Sequence, residues 1–477
     1  MRRLVVLLVV VLGACAGNGS DGGSSGPSVD DAAPAPRGGD RWVQLGYDLR
    51  SSFHNPGSPL TPARVAGMET AWEYEAPGSV NGAPAVAGGR VYVLAGNGLV
   101  ALDASNGDEV WRRDDISGSS SPTLAAGVLY VFGSDPTLWA VDAETGEDVW
   151  SVVADDQEFA VGFSSPVVTE DAVVVGLASV EEIAAEANAT FRGGVAAFDR
   201  QTGDELWRFR TAEPPFNGVG VWSSVSVDVE TGTVFVTTGN NYTESAGPTS
   251  DSIIALDLES GEQRWIRQVT EGDVFTVPTP ISEDTDLGTN PILFEAEIDG
   301  VERKLLGAGQ KSGMFWVLDR ETGEIVWQRA VSGGSPLIGG VFNNGAYDGT
   351  SIIVAGNNGP GERDEDADEP GDDGEPAGDE PAAVLMALDP ATGDIRWERP
   401  LPGWAWAPIT LGDGVGFVTA DNQLQGFDTE TGEELFALDT VGTISSAPVI
   451  AGDRVYFGSG LSYFTTTPGE TVYALEG

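Results

Sequence analysis

Short runs of alternating apolar and polar residues recur along this chain, and pairs of runs meet at tight turns. The segment AVDAETGEDVW, residues 140–150, has an apolar run, a turn that begins with Asp and contains Gly, and an acidic run that ends in Trp. Alternation with a period of two predicts a β-strand, and the Asp-to-Gly turn between two strands predicts a β-hairpin. Asp supplies a side-chain acceptor for turn amides, and Gly suits a position with positive φ.

The hairpin pattern occurs eight times. Its final aromatic residue stands at Trp111, Trp150, Trp207, Trp265, Trp327, Trp397 and Phe436. The eighth copy is split between the ends of the sequence, because residues 472–477 match its first half and residues 68–74 its second half. A repeat of about 40 residues with Gly and aromatic marks is typical of a β-propeller, and a blade shared by the termini closes the ring. We therefore predict an all-β, eight-bladed β-propeller over residues 41–477, with the indoles packed between blades.

The spacing of the final aromatic residues shows which blades carry extra loops. From Trp72 onward the spacings are 39, 39, 57, 58, 62, 70 and 39 residues, so four consecutive blades are enlarged. Long loops are where binding and catalytic residues concentrate. The last enlargement contains an acidic run rich in Pro and Gly, residues 359–383, which we predict to be a disordered loop. The other three enlargements are the candidates for function.

Composition excludes some partners and adds little about activity. Acidic residues outnumber basic residues 74 to 24, giving a formal charge of −50, and such a surface repels nucleic acid. The single cysteine excludes an intramolecular disulfide. The single histidine, His54, lies in a segment at residues 41–70 that lacks the repeat. We expect this segment to pack on a propeller face, with His54 in a structural role.

The first 15 residues carry a targeting signal. A basic start, an apolar run at residues 4–12 and the sequence LGAC resemble a bacterial lipoprotein signal peptide at residues 1–14. The resemblance makes Cys15 the lipidated first residue of the mature protein, and an ordinary secretion signal is the alternative. Residues 15–40, rich in Gly, Ser, Pro and Asp, are predicted to be a flexible tether. We expect an extracytoplasmic protein held at a bacterial membrane by its lipid anchor.

The fourth blade places two residue types that could contact a cofactor. Alternation predicts paired antiparallel strands at residues 224–228 and 233–237. Trp222 precedes the first strand and Asn240 follows the second, so both emerge at the same rim. A flat aromatic face and an amide oxygen are thereby brought together.

Neighbouring blades add charged residues suited to three uses: binding a cation, acting as a base and binding an anion. Carboxylates that could bind a hard cation or act as a base occur at Glu181, Glu182, Asp284 and Asp286. Arg192 and Lys311 are cations suited to an anionic ligand. A structural alternative applies to each of them, because the acids are a small part of an acidic chain and the residues around Lys311 also suit a turn.

The repeat and these residues together resemble the quinoprotein alcohol dehydrogenases that use pyrroloquinoline quinone (PQQ) and calcium, in particular the polyvinyl-alcohol-dehydrogenase-like branch. The resemblance implies that Trp222 stacks on the quinone and that Asn240, eighteen residues later, binds calcium. It makes Glu181, five residues after Gly176, a second calcium ligand. The implied reaction is oxidation of a small or polymeric alcohol by hydride transfer to the quinone, with electrons passed to an external acceptor.

The same resemblance assigns the remaining positions. Asp286, in the sequence DLG, is the expected catalytic base, with Asp284 as the fallback. Lys311 is the expected basic residue beside the quinone, Arg192 is a further cofactor-binding candidate, and Asn343 matches a cofactor-contacting Asn. This sequence departs from the family by having no adjacent-cysteine disulfide, no cytochrome domain and no Trp in its GGVFNNG segment.

A second interpretation is a cofactor-free, membrane-tethered scaffold. The repeat also resembles that of the outer-membrane assembly lipoprotein, a propeller without a cofactor. The scaffold hypothesis predicts an exposed apolar patch on the face opposite the enlarged loops, and GWAWAP at residues 403–408 is the stretch that could form it.

Overall fold

Eight antiparallel sheets follow one another along the chain, one for each hairpin repeat. They lie in the unit formed by residues 35–477. This arrangement confirms the predicted all-β, eight-bladed propeller. The computed structural model describes residues 39–184, 189–243, 245–278, 280–334, 339–359, 381–460 and 469–477. The expected signal peptide, Cys15, nearly all of the tether and most of the acidic loop lie outside the described residues.

Blades 1 to 4 are built from strands that are consecutive in sequence. Their strands are Ala85–Ala87, Arg90–Ala95, Gly98–Asp103 and Glu109–Arg113 in blade 1; Thr123–Ala125, Val128–Phe132, Thr137–Asp142 and Asp148–Val153 in blade 2; Val167–Val168, Ala172–Ser179, Gly194–Asp199 and Glu205–Arg210 in blade 3; and Ser226–Asp228, Thr233–Thr237, Ser252–Asp257 and Gln263–Gln268 in blade 4. A short extra strand, Ala160–Val161, pairs with the second strand of blade 3.

Blades 5 to 7 have the same order, and blade 8 combines the two ends of the described chain. Their strands are Ile292–Ile298, Val301–Gly309, Met314–Asp319 and Ile325–Ala330 in blade 5; Ala346–Tyr347, Ile352–Asn357, Ala383–Leu388 and Ile395–Leu401 in blade 6; Thr410–Leu411, Val415–Ala420, Gln423–Asp428 and Glu434–Asp439 in blade 7; and Val449–Ala451, Arg454–Gly458, Thr471–Glu476 and Glu69–Glu75 in blade 8. Two four-residue helices, Pro62–Val65 and Glu181–Ala184, complete the elements. None of the described helices is long and apolar enough to span a lipid bilayer.

Pairing of the termini closes the ring as predicted. The strand Glu69–Glu75 runs antiparallel to Thr471–Glu476, with Trp72 opposite Ala474. The N-terminal strand therefore occupies the outer edge of blade 8. Without this strand, the backbone groups on the outer side of Thr471–Glu476 would be left unpaired.

A repeated contact between an indole and a glycine joins neighbouring blades. The Trp150 ring lies against Gly203 of the next blade, where a Cβ atom would come within 2.7 Å of the ring. Gly203 has φ +76°, and Trp150 Nε1 donates to the carbonyl oxygen of Arg200 at 3.1 Å. The same contact is made by Trp72, Trp111, Trp207, Trp265, Trp327 and Trp397. This confirms the predicted packing of the indoles between blades.

Phe436 departs from the pattern for a topological reason. In blade 8 the third and fourth strands are the two ends of the chain, so no Asp-to-Gly turn joins them and no turn glycine is available for an indole. The helix Pro62–Val65 packs against blade 7 instead, and Phe436 contacts a buried cluster that includes Val65 and Met68. The smaller aromatic residue is explained by this different neighbour.

Successive strands of a blade run in opposite directions, so the loops divide between two faces. The Asp-to-Gly turns lie on one, which we call the hairpin face. The loop after each second strand and the connection to the next blade lie on the other, which we call the loop face. The insertions in blades 3 to 6 interrupt the chain at these loops and connections, and their described residues lie within 180–193, 211–225, 238–251, 269–291, 331–345, 358–359 and 381–382.

An N-terminal stretch, residues 39–55, lies across the centre of the ring, and we call it the axial segment. Backbone hydrogen bonds join it to the innermost strands of six blades at Val86, Leu124, Val227, Leu293, Tyr347 and Leu411. Gly39 also accepts from Gly452, which lies in a turn on the hairpin face. Trp42 and Phe53 are buried in the core. The segment was expected to pack on a propeller face; in the structure residues 39–55 lie against the innermost strands at the centre of the ring instead.

Candidate active site

The predicted residues of blades 3 to 5 meet at the loop face. Trp222 belongs to the connection between blades 3 and 4, and Asn240 follows the second strand of blade 4. Asp284 and Asp286 belong to the connection between blades 4 and 5, and Lys311 follows the second strand of blade 5. All of these segments reach the same face because of the strand directions, which is how residues far apart in sequence come together.

Lys311 is the centre of this group. Its ammonium nitrogen lies 2.9 Å from both carboxylate oxygens of Asp284 and 3.0 Å from Oδ2 of Asp286. All three side chains are buried. Burial by itself lowers the pKa of Lys311, but the charges of Asp284, Asp286 and Glu182 outweigh it and hold the pKa well above its ordinary value. Lys311 is therefore a fixed positive charge.

Trp222 presents a partly exposed indole beside this charge. The Lys311 ammonium lies 5.5 Å from the centroid of the Trp222 ring, within the range of a cation–π contact. The edge of the indole lies against Gly288, where a Cβ atom would overlap the ring. The glycine that follows Asp286 and Leu287 is thus required by close packing against Trp222.

Asp286 is held by the backbone of blade 4. Its Oδ1 atom accepts a hydrogen bond from the Asn240 amide at 2.8 Å, and a Cβ atom at Gly239 would come within 2.7 Å of that oxygen. The Asn240 side chain donates through Nδ2 to the carbonyl oxygen of Phe275 at 2.6 Å. Its amide oxygen accepts no hydrogen bond from the described residues. Asn240 thus positions Asp286 through its backbone and keeps a side-chain oxygen for a ligand.

Glu182, rather than Glu181, joins the carboxylates. One oxygen each of Glu182, Asp284 and Asp286 lie within 4.8 Å of one another. Both oxygens of Glu181 accept backbone hydrogen bonds from Thr190 and Phe191, at 2.7 to 3.0 Å.

The one-residue difference follows from the helical turn Glu181–Ala184, in which successive side chains point about 100° apart. The structure therefore places Glu182, and not the expected ligand Glu181, beside Asp284 and Asp286. Burial raises the pKa of Glu182 well above its ordinary value, and the charge of Asp286 adds to the effect.

The two remaining candidates are placed differently. The Arg192 guanidinium pairs with Glu213 at 3.2 Å, and both side chains are solvent-accessible, so its ion pair is not with the buried carboxylates. Asn343 is buried in the connection between blades 5 and 6, and its Nδ2 atom donates to Ala405 at 2.6 Å. Its Oδ1 atom is buried without a hydrogen-bond partner among the described residues. The same connection packs against the Lys311 carbonyl at Gly340, three residues before Asn343.

Two acids that the sequence did not single out adjoin Asp286. Asp251 and Asp273 are buried, and one oxygen each of Asp251, Asp273 and Asp286 lie within 4.8 Å of one another. Neither Asp251 nor Asp273 belongs to the repeated Asp-to-Gly turn. Their absence from the repeated turn is the one signal in the sequence that could have identified them as candidates.

Comparison with known proteins separates the site from the rest of the ring. Residues 152–332, which include every site residue from Glu182 to Lys311, match the family described as glucose/ethanol/alcohol dehydrogenase, beta-propeller domain. Residues 64–189 and 317–475 match the family of the outer membrane protein assembly factor BamB. Blades 3 to 5, which carry the site, lie in the dehydrogenase match, whereas the enlarged blade 6 and the plain blades match the BamB family.

Two curated relatives match over most of their length. The chain is 31% identical to a polyvinylalcohol dehydrogenase of Pseudomonas sp, covering 94% of this chain and 77% of the relative. It is 30% identical to a polyvinylalcohol dehydrogenase of Sphingopyxis sp., covering 84% of this chain and 69% of the relative.

The solved structure of quinohemoprotein alcohol dehydrogenase ADHIIG from Pseudomonas putida shares the fold, with a TM-score of 0.76 over 94% of this chain and 82% of that chain at 21% identity. The fold and the two curated relatives agree on one class of protein. The chain belongs to the PQQ-dependent alcohol dehydrogenase-like propellers, a family of oxidoreductases.

Residues 403–408, the stretch that the scaffold hypothesis required to be exposed, do not form a surface patch. Trp404 and Trp406 are only 9% and 6% exposed, and the alanines beside them are fully buried. Residues 403–408 also connect blades 6 and 7 at the loop face, not at the opposite face. The expected exposed patch was wrong, because these indoles fill space between loops and Trp406 donates to Asp421 at 2.9 Å.

Proposed function

We propose that this protein is a PQQ- and calcium-dependent dehydrogenase that oxidises an alcohol at the loop face. The observation that carries the proposal is the Lys311 ammonium, paired with two buried carboxylates beside the partly exposed indole of Trp222. A carboxylated planar quinone needs an aromatic face and a fixed cation, and both are present. The matching of residues 152–332 to the dehydrogenase family supports the same conclusion.

The donor set also fits a hard cation. The Glu182 carboxylate makes no hydrogen bond with the described residues, and neither does the amide oxygen of Asn240. Oxygen atoms of this kind are the ligands that calcium prefers. We propose Glu182, Asn240 and Asp286 as the residues that hold it. When bound, the cation would polarise the quinone carbonyl, and the quinone would accept a hydride from the alcohol carbon.

Asp284 is the better candidate for the base that takes the hydroxyl proton, although the sequence favoured Asp286. Asp286 belongs to both carboxylate clusters, and its two oxygens are held by the Asn240 amide and by Lys311. Asp284 belongs to one cluster. Lys311 contacts both oxygens of Asp284 at 2.9 Å and orients the carboxylate toward the site.

The surroundings of the site suggest the kind of alcohol. Apolar side chains are exposed close to Glu182, including Ile183 at 49% and Val277 at 39%, and the Val277 amide donates to the Glu182 carbonyl at 3.3 Å. Ile281, three residues before Asp284, is 61% exposed. An apolar rim suits a substrate with a carbon backbone, and the two curated relatives are named for polyvinyl alcohol. We propose a secondary or polymeric alcohol as substrate and an external electron acceptor.

The location stays a prediction from the first 15 residues. The LGAC sequence supports attachment to a bacterial membrane through a lipid on Cys15, outside the cytoplasm. Detergent partitioning of the parent protein and of Cys15→Ser tests this. The parent is expected in the detergent phase and the variant in the aqueous phase, whereas equal partitioning of the two would count against the anchor.

Reconstitution tests the proposed activity. The full-length protein is incubated with PQQ and Ca²⁺, and oxidation of a short secondary alcohol and of polyvinyl alcohol is followed with an electron-accepting dye. Activity is expected only when both additions are present. Quinone binding is followed separately by its absorbance spectrum.

Two lysine substitutions provide the matched comparison. Lys311→Met removes the buried cation and is expected to weaken quinone binding. Lys304→Met removes a surface lysine that pairs with Glu230 at 3.2 Å, and it is expected to leave binding unchanged. If the parent protein binds no PQQ at micromolar concentration with Ca²⁺ present, the proposed function is excluded.

A further inference from the structure

The hydrogen bonds around Asp251 leave a buried carboxylate oxygen unsatisfied. Asp251 is fully buried, and its Oδ2 atom makes no hydrogen bond with the described part of the chain. The Ser250 hydroxyl is one donor near the carboxyl group, and the Oδ1 atom accepts a hydrogen bond from the Thr285 hydroxyl at 3.2 Å. That hydroxyl also lies 2.8 Å from Oδ2 of Asp273 and carries a single proton, so it cannot donate to both carboxylates at once. An unpaired buried carboxylate oxygen is costly.

The charge around Asp251 is equally unbalanced. Burial raises the pKa of Asp251 well above its ordinary value, and the charges of Asp273 and Asp286 add to the effect. Lys311 pairs with Asp284 and Asp286, whereas no Lys or Arg within the described ranges forms an ion pair with Asp251 or Asp273. Two carboxylates therefore lack a protein cation, although the structure places them together.

The geometry suits an ion bound by oxygen. One oxygen each of Asp251, Asp273 and Asp286 lie within 4.8 Å of one another. Oxygen ligands stand about 2.3–2.6 Å from calcium, so two of them on opposite sides of the ion are about 5 Å apart. The Thr285 hydroxyl lies beside the same group and could add a neutral oxygen.

We propose that Asp251, Asp273 and Asp286 form a second cation site that binds a calcium ion behind the first. Asp286 then lies between the two ions, and Asp251 directs its free oxygen at the inner one. The second site rests on the proposed function only through this shared carboxylate. Its role is to neutralise the buried acids and to fix Asp286 in place.

Calcium titration of the full-length protein tests the second site without any measurement of activity. The protein is stripped of metal with a chelator and titrated by calorimetry with Ca²⁺ alone, in the absence of quinone. The parent is expected to bind two equivalents. Asp251→Asn, which keeps the size of the side chain and removes its charge, is expected to bind one, and the rise in melting temperature with Ca²⁺ is expected to shrink.

Two further variants assign the loss to a site. Glu182→Gln is expected to lose the other equivalent, and the exposed Asp156→Asn is expected to keep both. One equivalent in the parent that is lost in Glu182→Gln and kept in Asp251→Asn would overturn the second site and leave the first. One equivalent that is lost in Asp251→Asn alone would support the second site and remove the first. An Asp251→Asn protein with unchanged binding would show that the carboxyl is simply protonated.

Crystallography keeps the proposal testable if Asp251→Asn does not fold. Crystals of the parent grown with Ca²⁺ should show an anomalous difference peak between the Asp251 and Asp273 carboxylates. A peak beside Glu182 alone would overturn the second site.

Discussion

The aspartates of the hairpin turns and those of the loop face have the same chemistry and opposite uses. Asp142 is partly exposed, and its Oδ1 atom accepts three hydrogen bonds from Glu144 and Thr145, two and three residues away. Asp286 is buried and is held by Asn240 and Lys311, which are distant in sequence. The first kind stabilises a turn that can form locally. The second kind exists only where several blades meet.

The two kinds also differ in how they tolerate a like charge. Exposed turn carboxylates are screened by water, so an acidic surface costs each of them little. Asp284, Asp286 and Glu182 gather around a single ammonium group, and burial together with the charges of Asp286 and Asp284 raises the pKa of Glu182. In an acidic chain, a cluster of acids at the loop face therefore indicates the candidate site, whereas a high number of exposed acids does not.

Opening the ring should reduce the stability of the protein more than any other change. It breaks contacts between residues far apart in sequence and leaves the local hairpin turns intact. Truncation after residue 470 removes the strand Thr471–Glu476, which pairs with both Arg454–Gly458 and Glu69–Glu75. We expect loss of cooperative unfolding, because each blade is stabilised by its neighbours. Circular dichroism during heating measures it. Removal of Gly477 alone is the control, and an unchanged melting curve for the longer truncation would contradict closure by this strand.

Substitution of the two central aspartates should separate catalysis from cation binding. Asp284→Asn is expected to lower turnover by about 10²–10⁴, the usual scale for a general base, while Ca²⁺ binding is largely retained. Asp286→Asn is expected to weaken Ca²⁺ binding, with activity partly restored by excess Ca²⁺ through mass action. Dye-linked kinetics and calorimetry on both variants test this. The roles would have to be exchanged if Asp286→Asn, saturated with Ca²⁺, showed the larger loss of turnover.

Two tryptophans should differ in what their removal changes. Trp150→Ala is expected to cost about 2–4 kcal/mol of unfolding free energy, slightly less than for a fully buried ring, because the indole packs on Gly203 and bonds to Arg200. Trp222→Ala is expected to weaken quinone binding with a smaller loss of stability. Urea unfolding and quinone titration of both proteins distinguish the effects. A stability loss below about 1 kcal/mol for Trp150→Ala would place the indole among ordinary surface residues.

The smallest effect is expected at a hairpin turn. Asp142→Ala removes the acceptor for three local hydrogen bonds and should cost about 1 kcal/mol, since these bonds compete with water. Turnover should equal that of the parent protein at the same Ca²⁺ concentration. A loss of activity comparable to that of Asp284→Asn would remove the distinction between the two kinds of aspartate.

The fold was predictable because its determinants are local and repeated. The hairpin turn, its glycine and its tryptophan follow from a pattern about ten residues long, and the spacing gave the ring and the enlarged blades. Phe436 is the exception, and the sequence did not explain it. The reason is structural: blade 8 has no Asp-to-Gly turn for an indole to pack on. The contacts of the axial segment also required the structure, since its hydrogen bonds reach blades across the whole ring.

The site was predictable where a short segment fixes the direction of a side chain. Trp222 and Asn240 were placed together correctly, since a pair of antiparallel strands carries both. Glu182 rather than the expected Glu181 lies beside the aspartates, because helical rotation decides which of two adjacent acids faces the cluster. Asp251 and Asp273 were not found, because their one mark in the sequence is absence from the repeated turn, and their burial beside other acids depends on segments far away in sequence.

The axial segment also limits how a polymer could be handled. Residues 39–55 cross the centre of the ring and hydrogen-bond to six blades, so a polymer bound at the loop face would meet this segment before it could reach the hairpin face. A long alcohol could not be threaded through the ring. It would have to present a loop or an end, react and withdraw by the way it came. Oxidised positions should then be scattered along the polymer by separate encounters, instead of advancing in an unbroken run from one end.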